Sequence, residues 1–269
     1  MNYRLKSGEL IKWTPDLVGK FWTGVSRSRL SEMSSSRSCA GRLLELIEPY
    51  LNSHSRYLDY GAGDGDLVTA MVSKGYRMAA HEPNQDRLGK LHLSVLEHPN
   101  FLGVVGGDRQ EPFDGIFMVE VIEHILEPEV EEVFRQVRSL LKRGGLLIIT
   151  TPLAEDLELN AAFCPSCEIL FHRWQHVRSF TIETLTEFMA RQGFCCEWQQ
   201  VVDFSLNRFM VEELNAMNAE IDRLHAQVAQ SFCERTKRFF GGKTEHRKRY
   251  PKVSLEEFPS NIVYVGRLA

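Results

Sequence analysis

The chain has 269 residues, of which 43% are hydrophobic, 25% charged and 10% aromatic, and a formal net charge of −4. This composition suits one large globular domain, with or without an appendage, and excludes a mostly disordered chain; 32 basic against 36 acidic residues do not mark a nucleic-acid binder. The most apolar stretch, residues 144–154, is about half of the ~20 residues a membrane span requires. The first residues are charged throughout and lack the apolar core of a secretory signal, so the six cysteines are expected as reduced thiols in a cytoplasmic setting.

Residues 1–50, which include Trp13, Phe21 and Trp22, are expected to form a helical N-terminal cap. A methyl- and ring-rich run over 57–60 predicts a strand that ends in glycines. Leu67, Ala70 and Met71 at helical spacing predict a helix over 66–74. A second strand is predicted over 77–82, a helix over 85–96 and a buried strand over 115–119. Val130, Val133, Phe134, Val137 and Leu141 define one face of a helix over 127–141, ended by Gly144-Gly145 and followed by a strand over 146–150. Thr181 is placed to cap a helix over 181–192, and strands follow over 194–202 and 262–267. Strands alternating with helices predict a parallel sheet covered on both faces.

Two segments break the alternation. The connection 152–180 is long for a strand-to-helix loop, and loops of that length in compact domains are usually functional. Leu214, Met217, Ile221, Leu224, Val228 and Phe232 recur at three- and four-residue steps, predicting an amphipathic helix over 209–240. Its apolar seam serves either packing on the domain or a homodimer. The basic segment 235–252 beyond it is a solvated linker or a surface for phosphates, RNA or an anionic membrane. The organisation is then a cap at 1–50, a core at 51–206, a helical insertion with basic linker at 207–260, and a final strand at 261–269.

The sequence Asp59-Tyr60-Gly61-Ala62-Gly63-Asp64-Gly65 follows a strand and opens a helix, where glycines let backbone approach a ligand and free amides supply donors. The glycine spacing departs from a dinucleotide fingerprint. Asp59 and Asp64 disfavour a pyrophosphate and suit a ligand with an amino group or positive charge. Glu82, at the end of the second strand, is placed to accept both hydroxyls of a ribose.

These features, with the FD-x-I-F-x-x-E-V-I-E-H segment at 113–124 and L-L-K-R-G-G-x-L-x-I-x-T-P at 140–152, resemble the class I S-adenosylmethionine-dependent methyltransferases over about 57–200. The resemblance implies an α/β, Rossmann-like fold with a seven-stranded, mostly parallel sheet, helices on both faces, and an antiparallel last strand at 262–267. It implies S-adenosylmethionine as cofactor. Asp59, Gly61, Ala62, Gly63 and Gly65 would line its amino-acid and sulfonium end, Glu82 its ribose, Asp108 its adenine and Glu120 its methyl.

Glu120, Glu123 and His124 follow the strand at 115–119, on the sheet edge where such folds place chemistry, and are the expected catalytic residues. E-x-x-E-H followed by H-x-x-x-F-[ST] is similar to the metal site of small-RNA 2′-O-methyltransferases and ubiquinone-pathway O-methyltransferases. That likeness implies one divalent ion (Mg²⁺, Mn²⁺ or Zn²⁺) on Glu120, Glu123, His124 and His176, with Ile125 where the RNA enzymes carry a second His. Cys164-Pro165-Ser166-Cys167 followed by His172 and His176 resembles a zinc knuckle and offers an alternative set. Arg173 and Arg178 offer partners for an anionic substrate group. The expected activity is methylation of a hydroxyl on a small molecule or glycan. The alternatives are RNA 2′-O-methylation and a catalytically silent cofactor-binding scaffold.

Overall fold

The computed structural model describes residues 10–33, 35–106, 111–204 and 260–269, with positions 219, 220 and 223. The chain divides into two compact units, Met1–Ser205 with Pro259–Ala269, and Leu206–Phe258. In the second unit only the three helical positions 219, 220 and 223 are described, with an ion pair between Arg223 and Glu220. Asp108, most of the predicted 209–240 helix and the basic segment 235–252 lie outside the described residues.

The first unit is built on a seven-stranded sheet. Its strands are β1 (Arg56–Tyr60), β2 (Arg77–His81), β3 (Phe101–Val104), β4 (Phe113–Val119), β5 (Leu141–Pro152), β8 (Phe194–Val202) and β9 (Asn261–Leu268), in the spatial order β3-β2-β1-β4-β5-β9-β8. β9 runs against the common direction of the other six strands, pairing antiparallel with both β5 and β8. β6 (Ala161–Cys164) and β7 (Ile169–His172) form a separate hairpin. The helices are α1 (Pro15–Ser26), α2 (Ser35–Ile47), α3 (Asp66–Ser73), α4 (Gln85–Val95), α5 (Val130–Leu140) and α6 (Ile182–Arg191).

Alternation along the strands divides the core in two. Tyr57, Met78, Phe117 and Val265 face α2, α3 and α4, where Leu43, Ile47, Leu67, Met71 and Leu91 meet them. Leu58, Met118, Ile149 and Tyr264 face the other way, onto Phe134 and Val137 of α5 and Leu185 and Met189 of α6. Central parallel strands are covered on both sides, so β1 and β4 are buried along nearly their whole length, Asp59 included. α6 starts with a reciprocal capping box between Thr181 and Thr184.

Three local features differ from the sequence reading. Gly144-Gly145 does not end the helix: α5 stops at Leu140 and β5 starts at once, with Gly144 at φ 67° inside the strand, where the β4–β5 register shifts. β3 was not anticipated, because its four residues are all half-buried at the sheet edge and carry no strong alternation. The 152–180 connection is structured, with the β6–β7 hairpin inside it and Leu10 bridging to Leu170 at its edge.

Candidate active site

The carboxyl ends of β1, β2, β4 and β5 meet at one edge of the sheet. After β1 the chain turns through Gly61, Gly63 and Gly65, all left-handed at φ 92°, 56° and 89°. The Gly61 and Ala62 amides donate to the His81 carbonyl at 2.8 and 2.9 Å, which ties the turn to β2. A Cβ at Gly61 would lie 2.7 Å from Val121, and one at Gly63 would lie 2.4 Å from Arg87. Glu82 completes the turn: one carboxylate oxygen accepts the Gly63 amide at 2.7 Å, the other the Asn84 amide at 2.8 Å. A carboxylate has about four lone-pair sites, so acceptor capacity remains. Burial pushes the Glu82 carboxyl up, against the pull of Arg87 and the two amides.

The two aspartates of this loop do not act as a pair of free charges, contrary to the sequence reading. Asp59 is buried, and burial together with the Glu82 charge pushes its carboxyl up to about 8, so near neutrality it is mostly protonated. Asp64 is paired with Arg87 Nε at 3.0 Å and Lys90 Nζ at 3.3 Å, and the Arg87 guanidinium lies over the Trp22 ring of α1.

At the end of β4, Glu120 sits at φ 53°, an unfavourable conformation for a residue with a side chain. Its carboxylate accepts the Thr150 hydroxyl at 2.7 Å and the Asn261 amide at 3.1 and 3.2 Å. A 3-10 turn, Ile122–His124, follows. Glu123 is 1% exposed; one oxygen accepts the Thr151 hydroxyl at 3.2 Å, and the other has no hydrogen-bond partner and lies 3.9 Å from His124 Nε2. Burial and the Glu120 charge hold the Glu123 carboxyl well above its usual range. Burial, then the neighbouring His176, holds His124 well below its own, so its imidazole is neutral.

The 152–180 segment closes this edge. Val177 N–H donates to the Glu123 carbonyl at 2.9 Å. The buried Gln175 donates to the His124 carbonyl at 3.1 Å and accepts the Trp22 indole N–H at 2.9 Å. His176 packs edge-to-face on His124 with centroids 4.8 Å apart, and stacks on His172 at 4.4 Å. His176 Nδ1 makes a short hydrogen bond to Glu155, whose other oxygen is 3.2 Å from His172 Nε2. Burial opposes ionisation of Glu155, but the hydrogen bond and charge of His176 outweigh it, with His172 adding to them, and its carboxyl stays below the usual value.

Of the four expected metal ligands, Glu123, His124 and His176 have ligand atoms within 4.8 Å of one another; Glu120 stands outside the group, held by Thr150 and Asn261. The zinc-knuckle set is not assembled. Cys164 pairs with Ile169 at the turn of the hairpin and His172 with Ala161 at its base, so three residues of strand separate them, about 10 Å. Among the described residues, neither group of potential ligands contains a cysteine. Arg178 is occupied by the Ile125 carbonyl at 2.6 Å and Glu127 at 3.1 Å, so it is not a free anion partner, whereas Arg173 is exposed and donates to the Asn160 side chain at 2.6 Å. Sequence reasoning missed Trp22, Glu155, Gln175 and Asn261.

Three cavities meet here. One of about 780 Å³ is lined by Glu82, Asn84, Tyr60 and α1. One of about 300 Å³ is lined by Gly63, Glu155, His176 and Asn261. Gly61, Arg87, Glu120 and His124 line both. A third, of about 600 Å³, has Leu10, Ile11, Trp13 and Leu126 in its wall and reaches His172 and His176. Asp59, Ala62 and Gly65 line none of the three and are buried.

The model of a methyltransferase-domain family matches residues 31–197, more than half of the sequence, and the chain belongs to that family. It is a class I S-adenosylmethionine-dependent methyltransferase. The ubiquinone biosynthesis O-methyltransferase of Caulobacter sp. (strain K31) is 28% identical over 103 residues, 36% of this chain and 40% of the relative. That of Cereibacter sphaeroides (strain ATCC 17029 / ATH 2.4.9) is 30% identical over 102 residues, again 36% and 40%. The match thus spans about two fifths of the length of these curated relatives. In fold the chain is similar to the 1,6-didemethyltoxoflavin-N1-methyltransferase of Burkholderia thailandensis, with a TM-score of 0.55 at 14% identity over 97% of this chain and 93% of that one. It is also similar to the glycopeptide N-methyltransferase MtfA, with 0.53 at 13% over 86% and 94%. Among the described residues no helix is long and apolar enough to cross a membrane.

Proposed function

We propose that this methyltransferase acts on a hydroxyl of a small molecule or glycan, with donor and acceptor meeting between Glu120 and His176. The observation that supports this reading is the continuity of the cavities. The first two share Gly61, Glu120 and His124, and the second and third share His176. The nucleoside half of S-adenosylmethionine fits the first, where Glu82 keeps acceptor sites for the ribose hydroxyls. Its amino-acid half fits beside Gly61 and Gly63. The third cavity is then the acceptor's approach, and its apolar wall of Leu10, Ile11, Trp13 and Leu126 favours an acceptor with an apolar body or a sugar face that stacks on Trp13.

When bound, S-adenosylmethionine supplies an electrophilic methyl on a positively charged sulfur. The chain's task is to hold two molecules in line, which can supply ~7–11 kcal/mol of the barrier. The sheet edge does so with groups fixed on rigid elements: Glu82 at the end of β2, Glu120 at the end of β4 and His176 in the segment that Gln175 and Val177 pin down. The cluster at Glu123 also fits a divalent cation, because Glu123 leaves one buried oxygen unpartnered beside the neutral His124, whose Nδ1 is also buried without a partner. Glu123, His124 and His176 would hold the cation, which would lower the pKa of an acceptor hydroxyl.

Methyl-labelled S-adenosylmethionine, offered with separate panels of hydroxylated and aminated acceptors, tests the reading. Label is expected in the hydroxylated panel, and transfer confined to amines would overturn it. Glu123→Ala should lower transfer by about two orders of magnitude while cofactor affinity, read by calorimetry, is unchanged.

A further inference from the structure

Two groups of ligand-type side chains share His176: Glu123, His124 and His176 on one side, Glu155, His172 and His176 on the other. Their hydrogen bonds distinguish them. His172 is 3% exposed, and its Nδ1 accepts two backbone amides, those of His176 at 3.0 Å and Trp174 at 3.3 Å. A ring nitrogen facing two N–H donors keeps its lone pair, so the proton of neutral His172 is on Nε2. A metal ligand needs a ring nitrogen with a free lone pair, and His172 has none to spare: Nδ1 accepts the two amides and Nε2 carries the proton. His172 is therefore not a ligand. It presents Nε2–H towards Glu155 Oε1, 3.2 Å away and off the hydrogen-bond axis.

Glu155 in turn accepts from His176 Nδ1 through its other oxygen, and from the Asn160 side-chain amide at 3.0 Å. With Nδ1 carrying the proton towards Glu155, the nitrogen that His176 leaves for Glu123 and His124 is Nε2, with its lone pair free. This is the carboxylate–histidine arrangement that fixes ring orientation and raises the basicity of a metal ligand.

We infer that Glu155 is a positioning residue. It holds His176 as the Nδ1–H tautomer, so that Nε2 completes a divalent-cation site with Glu123 and His124, and His172 steadies Glu155 from behind. This inference rests on the cation reading of that cluster, and it assigns to Glu155 a part that the ligand pattern in the sequence does not contain.

The test is cation binding to the full chain, stripped with a chelator and titrated with Co²⁺ or Mn²⁺ alone, with Co²⁺ visible absorption as the signature of its coordination. Glu155→Gln is expected to weaken binding by about 10–100-fold and to alter the Co²⁺ spectrum, while S-adenosylhomocysteine affinity stays at the wild-type value. Glu155→Asp is expected to recover part of the loss. If wild-type protein takes up no cation, the cation reading fails and the role of Glu155 fails with it. If wild type binds and Glu155→Gln binds equally well with an unchanged spectrum, the cation reading stands and the positioning role is overturned. Should Glu155→Gln lose S-adenosylhomocysteine affinity as well, Glu155 serves the cofactor cavity it lines or the fold rather than His176 alone, and the inference is again overturned.

Discussion

The two ends of the active site are built from different materials. At the β1–β2 end the working groups are backbone amides, the space left by missing side chains, and one carboxylate, all drawn from residues 59–84. At the β4–β5 end they are side chains brought from distant places: Trp22 on α1, Glu120 to His124, Glu155, Gln175 and His176, and Asn261 on β9. The first end is rigid because three left-handed glycines and the Glu82 bonds to Gly63 and Asn84 determine one path for the backbone. The second is held just as firmly but assembled from afar, because each side chain is fixed by partners from another segment. Chemistry common to all donors belongs on the first material, and discrimination among acceptors on the second.

That contrast can be broken most severely at Gly63. Gly63→Arg puts a side chain where the backbone meets the ligand, at a left-handed φ and against Arg87. Calorimetry with S-adenosylhomocysteine should find no binding, and wild-type affinity would remove the glycine turn from the site. A milder break is Glu82→Ala, which removes ribose acceptors and the anchor of the Gly63 amide. The cofactor should bind about 1.5–3 kcal/mol more weakly, roughly ten- to a hundredfold, and an unchanged dissociation constant would return Glu82 to a structural part only.

The smallest effect sharpens the comparison through pH. The Asp59 carboxyl is raised in the folded chain to about 8 from an ordinary value of 3.8. The folded state thus holds the proton more tightly than the unfolded state. Its contribution to stability is full below about pH 4 and is lost progressively as pH rises through 8. Asp59→Asn cannot ionise. Its melting temperature relative to wild type should rise from pH 6.5 to pH 8 by a few degrees, corresponding to on the order of 1–2 kcal/mol. Parallel melting curves across that range would show that Asp59 is not held as the neutral acid.

What the sequence reveals follows the same division. The glycine turn and Glu82 were legible because the contacts are local: the Gly63–Glu82 bond closes within one strand-helix-strand unit, and strands alternating with helices along the chain mark such units. Glu120, Glu123 and His124 were legible as a strand-end cluster, though not the fact that Glu120 is tied to Asn261, 141 residues away. Trp22 and Gln175 are separated by 153 residues, and neither residue type at its position signals the pairing. Glu155 is nearer, 21 residues from His176, but beside Asp156 and Glu158 in a long connection it looks like solvated surface until the β6–β7 hairpin folds the segment back. The zinc-knuckle spacing misled for the same reason, since distance along a hairpin depends on which residues pair.

The position of β9 has a consequence for how the molecule comes to exist. It lies between β5 and β8, and among the described residues β8 has no other partner in the sheet. During synthesis the first two hundred residues can assemble five parallel strands, but β5 keeps an open, apolar edge and β8 waits unpaired until residues 261–268 leave the ribosome. The whole of the second unit must be translated in that interval. Unpaired strand edges invite association with other chains, so the nascent protein passes through a window of vulnerability as long as the Leu206–Phe258 unit takes to make. Glu120 also acquires Asn261 only when that window closes, which makes completion of the sheet and completion of the active site a single event.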